Sequence, residues 1–101
     1  MLIHSVYFWL KPELTDAQRA DFRRGLESLK GVASLVSLHV GTPAPLPPRA
    51  VLDGTYSFSL TGVFRDVPGH DAYQVDPLHK GFLESFRTYW TKVQIYDSVG
   101  G

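Results

Sequence analysis

Apolar residues occupy both parities of the opening segment, residues 2–10 (LIHSVYFWL), with Val6, Phe8 and Leu10 on one face of a strand and Ile3, Tyr7 and Trp9 on the other. Such a strand needs cover on both sides. Lys11-Pro12-Glu13 breaks it, and Thr15-Asp16-Ala17-Gln18 reads as a capping box opening a helix that runs to about Lys30 and closes at Gly31. Phe22, Leu26 and Leu29 recur at i, i+4 and i+7 and form its buried stripe. Residues 35–40 (LVSLHV) alternate as a second strand ending at Gly41, and residues 55–63 (TYSFSLTGV) as a third, with Tyr56, Phe58 and Leu60 opposed to Ser57, Ser59 and Thr61. A broken helical region follows. Residues 66–74 suit a short helix despite Pro68 and Gly69, and a second helix starting at Pro77 carries Leu78, Phe82 and Phe86 along one side. Residues 91–97 (TKVQIYD) close the chain as a fourth strand, Val93 and Ile95 opposed to Gln94 and Tyr96.

The order β-α-β-β-α-β in about 100 residues is that of an α+β, ferredoxin-like domain: a four-stranded antiparallel sheet with its helices on one face. One domain spans residues 1–101. The segment Thr42 to Arg49 holds four of the seven prolines, which excludes a ladder and predicts a stiff surface loop inside the domain. The helix-free face is expected to carry Tyr7, Trp9, Leu35, His39 and Tyr96. That surface is too aromatic to leave in water, so packing against a second copy, a homodimer, is expected.

Charge removes several partners. Ten basic and ten acidic residues cancel to a net charge of zero and are scattered, so a nucleic-acid backbone or an anionic membrane is not expected as partner. The chain has no cysteine, hence neither a disulfide framework nor a thiolate site. The first residues lack the basic and apolar regions of a signal peptide, and no run approaches the roughly 20 apolar residues of a membrane span, so a cytoplasmic location is expected.

The stretch Tyr73-Gln74-Val75-Asp76-Pro77-Leu78-His79-Lys80-Gly81-Phe82 holds the strongest chemical signal. Asp76 is a good N-cap and Pro77 a good first helical residue, which puts His79 at the third helical position. There the macrodipole disfavours imidazolium, while the Asp76 carboxylate favours it. A neutral His beside a Tyr is a usable base and hydrogen-bond donor pair, although both residue types are also common as plain surface or capping groups. His4, on the Val6–Phe8 face, reads equally as a core histidine. His39 and His70 are expected to have no chemical role. The four His are too dispersed for a recognisable zinc spacing, so no metal is expected. No glycine-rich phosphate loop or serine nucleophile elbow is present.

Taken together, His4 with Lys11, Thr15-Asp16-Ala17-Gln18, Gly41, Tyr56, Phe64, the Tyr73-x-x-x-Pro77-x-His79 motif with Phe82, and the closing run from Arg87 to Asp97 resemble the stress-responsive A/B barrel (Dabb) family of dimeric α/β barrel proteins. The resemblance covers nearly the whole chain and is weakest across the proline-rich loop. It implies a homodimer with sheets packed face to face, an apolar pocket in each subunit between sheet and helices, and no cofactor. Members range from plant stress proteins to polyketide cyclases of the olivetolic acid cyclase type. Carried over by position, the resemblance makes His79 the base and Tyr73 the group that holds a carbonyl substrate during aldol ring closure. His4 and Asp97 would orient His79 or the ligand. Val6, Phe8, Phe22, Leu26, Leu60, Phe82, Trp90, Val93 and Ile95 would form the apolar wall. Three function classes remain open: a cofactor-free cyclase or lyase, a non-catalytic stress or ligand-binding dimer, and a cofactor-independent monooxygenase.

Overall fold

The computed structural model describes residues 1–101. Its elements are β1 (Leu2–Leu10), α1 (Asp16–Ser28) with a 3-10 turn (Leu29–Gly31), β2 (Leu35–Gly41), β3 (Phe58–Phe64), α2 (Val67–Val75), α3 (Pro77–Phe86) and β4 (Trp90–Val99). The strands form one antiparallel sheet in the order β2-β3-β1-β4. This is the expected ferredoxin-like arrangement, with the second helical region split at Asp76 into two helices.

Alternation along β1 sets the layers. Leu2, His4, Val6, Phe8 and Leu10 are all buried, while the residues between them are half-buried. The buried set faces Phe22 and Leu26 of α1, Tyr73 of α2 and Phe82 of α3 in a single core. At its centre Phe22 has no exposed surface and lies 5.2 Å, centroid to centroid, from Phe8 and 5.6 Å from Phe82. Full burial of such side chains supplies the main stabilisation, about 1.5–3 kcal/mol each.

Local signals place the helices. Thr15 Oγ1 accepts from the Gln18 amide at 3.1 Å and Gln18 Oε1 from the Thr15 amide at 2.8 Å, completing the capping box. The far end of α1 differs from expectation, because no left-handed glycine closes it. The helix stops at Ser28 and tightens into the 3-10 turn. Gly31 serves there for close approach: a Cβ would stand 3.0 Å from Leu78 Cδ1 of α3. Gly25 plays the same part against the Phe86 ring.

Two further boundaries shift. The third strand begins at Phe58 rather than Thr55, and Tyr56 leaves the Phe58–Leu60 face to stack edge-on against Tyr7, 4.9 Å away on the helix-free side. Ser57 still donates its amide to the Phe8 carbonyl, but the loop before it has left the ladder. Leu35 also changes face. The β2–β3 register slips between Leu35 and Ser37, which ejects Val36 and turns Leu35 onto the core beside Gly62 and Phe64. The helix-free face therefore carries Tyr7, Trp9, Tyr56 and Tyr96, with Lys92 over the Trp9 ring and Trp9 Nε1 donating to Thr55 Oγ1 of the proline-rich loop. No helix is long and apolar enough to cross a membrane.

Candidate active site

Asp76 joins the two helices that carry the candidate pair. Its amide donates to the Tyr73 carbonyl at 3.2 Å, ending α2, and its carboxylate accepts from the Leu78 amide at 2.9 Å, opening α3. Tyr73 and His79 stand three residues to either side of this joint. Their rings meet with centroids 4.6 Å apart, tilted by 49°.

His79 is held by backbone. Its Nδ1 lies 3.2 Å from the Gln74 carbonyl, an acceptor only, so Nδ1 carries the proton and Nε2 keeps its lone pair. Burial lowers the His79 pKa below its ordinary value of 6.5; His4 and His70 act in the same direction, against the Gln74 carbonyl and Asp76. Burial pushes Tyr73 the other way, up to about 12. Both groups are therefore neutral near pH 7, one an acceptor and the other a donor.

The pair borders a cavity of about 230 Å³ between sheet and helices. Sheet register builds the opposite wall, because β1 and β4 set Val6 against Ile95 and Phe8 against Val93 on the helix side. Leu60, Phe82 and Trp90 extend the apolar lining, while His4, Tyr73, Gln74 and His79 supply its polar groups. Of its lining residues, Val93 and Ile95 on the edge strand and Leu83 on α3 are exposed, at 39%, 46% and 38%. Leu26 also contributes to the wall.

Two residues expected at the pocket, Phe22 as wall and Asp97 as an orienting group, lie outside its lining. Phe22 sits behind Phe8 and Phe82 as core, since α1 turns it to the sheet's centre. Asp97 stands opposite His4 in the ladder and binds it, Oδ1 to Nδ1 at 2.5 Å, so it orients His4 rather than His79. Leu29, Gln74 and Leu83 line the cavity without having been anticipated. Leu29 was legible in the α1 stripe, and Leu83 follows from its place one turn beyond His79. The Gln74 carbonyl gives no sequence signal, because every residue carries one. His39 is exposed on the helix-free side near Ser37, whereas His70 packs 5.1 Å from the His4 ring.

A ferredoxin-like sheet with a polar-tipped apolar cavity under its helices defines a small two-layer α+β domain. The chain belongs to the stress responsive A/B barrel domain family, whose model matches residues 2–99. No curated protein matches it by sequence. Among solved structures it is similar to a Dabb family protein with a ferredoxin-like fold from Mesorhizobium loti, with TM-score 0.79 and 20% identity over 98% of this chain and 95% of that one. It is also similar to the hydroxynitrile lyase from Passiflora edulis, with TM-score 0.81 and 18% identity over 99% and 93% of the two chains. A dimeric ferredoxin-like protein of unknown function from Thermobifida fusca superposes with TM-score 0.79 and 18% identity, covering 96% of this chain and 88% of that one.

Proposed function

We propose that this protein is a homodimeric, cofactor-free lyase or cyclase acting on a small β-dicarbonyl compound, with His79 as general base and Tyr73 as hydrogen-bond donor. The observation that carries this reading is the 4.6 Å approach of the two rings over one apolar cavity, with the His79 lone pair freed by the Gln74 carbonyl. His79 Nε2 removes a proton from a carbon flanked by two carbonyls, and the resulting enolate carbon attacks a third carbonyl, farther along the same poly-β-keto molecule. Tyr73 donates a hydrogen bond to the oxygen that gains charge, and the imidazolium returns its proton there to complete an aldol ring closure. Apolar walls favour a ligand with an aryl or alkyl end. The cavity falls below the roughly 300–1,000 Å³ of drug-sized pockets, so it suits a single ring, with any tail leaving past Val93 and Ile95.

The hydroxynitrile lyase with the same fold supports lyase chemistry on such a scaffold. A non-catalytic stress or ligand-binding dimer is the second reading, favoured by the same apolar walls. A cofactor-independent monooxygenase is a third, with no residue specific to it.

Incubation with aryl- and alkyl-capped poly-β-keto thioesters tests the proposal. His79→Ala should lower turnover by about 100-fold or more, the scale of general-base loss, and Tyr73→Phe should lower it less, while both variants keep binding. Ligand binding without turnover in the unsubstituted protein would leave the binder as the better account.

A further inference from the structure

His4, His70 and Asp97 reach one point from three elements, β1, α2 and β4. The ladder sets His4 directly opposite Asp97, and α2 lays the His70 ring 5.1 Å from that of His4. One donor atom of each lies within 4.8 Å of the other two. His4 is buried, whereas the Asp97 side chain is 41% exposed and gives a hydrated ion a way in. His70 has a carboxylate behind it, with Nδ1 3.2 Å from Asp71 Oδ1, and that bond leaves the Nε2 lone pair available. His70 Nε2 lies 3.3 Å from the Gln74 side-chain amide, a partner that a metal ion can displace. A carboxylate hydrogen-bonded to the far nitrogen is how ligating imidazoles are commonly oriented and made more basic.

We infer that His4, His70 and Asp97 form a binding site for a divalent transition-metal ion of the zinc type. Two imidazoles and one carboxylate suit zinc, cobalt or nickel, whereas magnesium and calcium prefer an all-oxygen set. Zinc bonds of about 2.0–2.1 Å place tetrahedral donors ~3.4 Å apart. The widest separation here, at most 4.8 Å, closes by about 1.4 Å through rotation of the Asp97 and His70 side chains. Meanwhile His4 Nδ1 and Asp97 Oδ1 open from 2.5 Å as the ion replaces the proton between them. Three protein ligands leave a fourth position for water or a ligand atom.

The inference is independent of turnover, and its test needs none. Tag-free, metal-stripped protein is titrated with Co²⁺ and followed by the visible absorption of the bound ion. One Co²⁺ per chain is expected, displaced by Zn²⁺ and unaffected by excess Mg²⁺. His70→Ala and Asp97→Asn should each weaken Co²⁺ binding by at least about 10-fold, since loss of an outer-shell partner alone commonly costs that much. His39→Ala should bind as the unsubstituted protein does, and circular dichroism confirms that each variant is folded. Absence of Co²⁺ absorption in the unsubstituted protein overturns the inference, as does undiminished affinity in folded His70→Ala and Asp97→Asn.

Discussion

Burial acts on His79 and Tyr73 in opposite directions, and that difference divides their labour. A phenol pushed up to about 12 keeps its proton to donate in a hydrogen bond, while an imidazole held below 6.5 stays unprotonated and can accept. The sign for stability follows from the same shift. Because the folded state binds the His79 proton less readily than the unfolded chain does, this contribution is fully present above pH 6.5 and is lost as pH falls through the lowered folded-state value. Histidine-selective NMR titration should therefore place the His79 midpoint below 6.5, with Nδ1 protonated; a midpoint at or above 6.5 would remove the pre-neutralised base. The pair itself was legible, since the Tyr-x-x-x-Pro-x-His spacing fixes both residues relative to one cap. Its partners were not. The Gln74 carbonyl belongs to the backbone, and the approach of His70 to His4 depends on the seating of α2 over β1, which no local pattern encodes.

Caps decide the elements around the site, and Asp76 terminates one helix while starting the next. Loss of its carboxylate frees the Leu78 amide and loosens the turn that sets the Tyr73–His79 distance. Asp76→Ala should cost about 1 kcal/mol in thermal or denaturant unfolding and weaken ligand binding at the same time, whereas Asp76→Asn should retain most of both. Unchanged stability and affinity in the alanine variant would separate the cap from the site. Capping residues and the alternation of β1 were readable because they act over three or four positions. The β2 bulge at Val36, the 3-10 turn after Ser28 and the late start of β3 answer instead to tertiary demands. Leu35 is drawn to the core and α3 needs the space at Gly31, while the proline-rich loop must release Thr55 and Tyr56 toward Trp9 and Tyr7.

Across the whole molecule, the helices cover one side of the sheet and leave the other aromatic. Tyr96 is 64% exposed there, beside Tyr7, Tyr56 and Trp9. A second copy of the same face would bury that surface, and Trp9→Glu should then shift the protein toward monomer by light scattering, because a carboxylate in that interface loses hydration without a partner. Tyr96→Glu should act likewise without touching the bond between Trp9 and Thr55. A monomer in the unsubstituted protein at micromolar concentration would refute the dimer. Strand order and layer arrangement were legible because the sequence of elements admits few ferredoxin-like solutions. The cavity that this architecture encloses matters only if His79 moves protons inside it. Deuterium uptake at the methylene of benzoylacetone in D₂O near neutral pH, followed by proton NMR, measures that step without requiring the natural substrate. The protein should accelerate exchange above buffer with saturation in the diketone, and His79→Ala should return it to the buffer rate; exchange no faster than buffer, or equally fast with His79→Ala, would contradict His79 as the base.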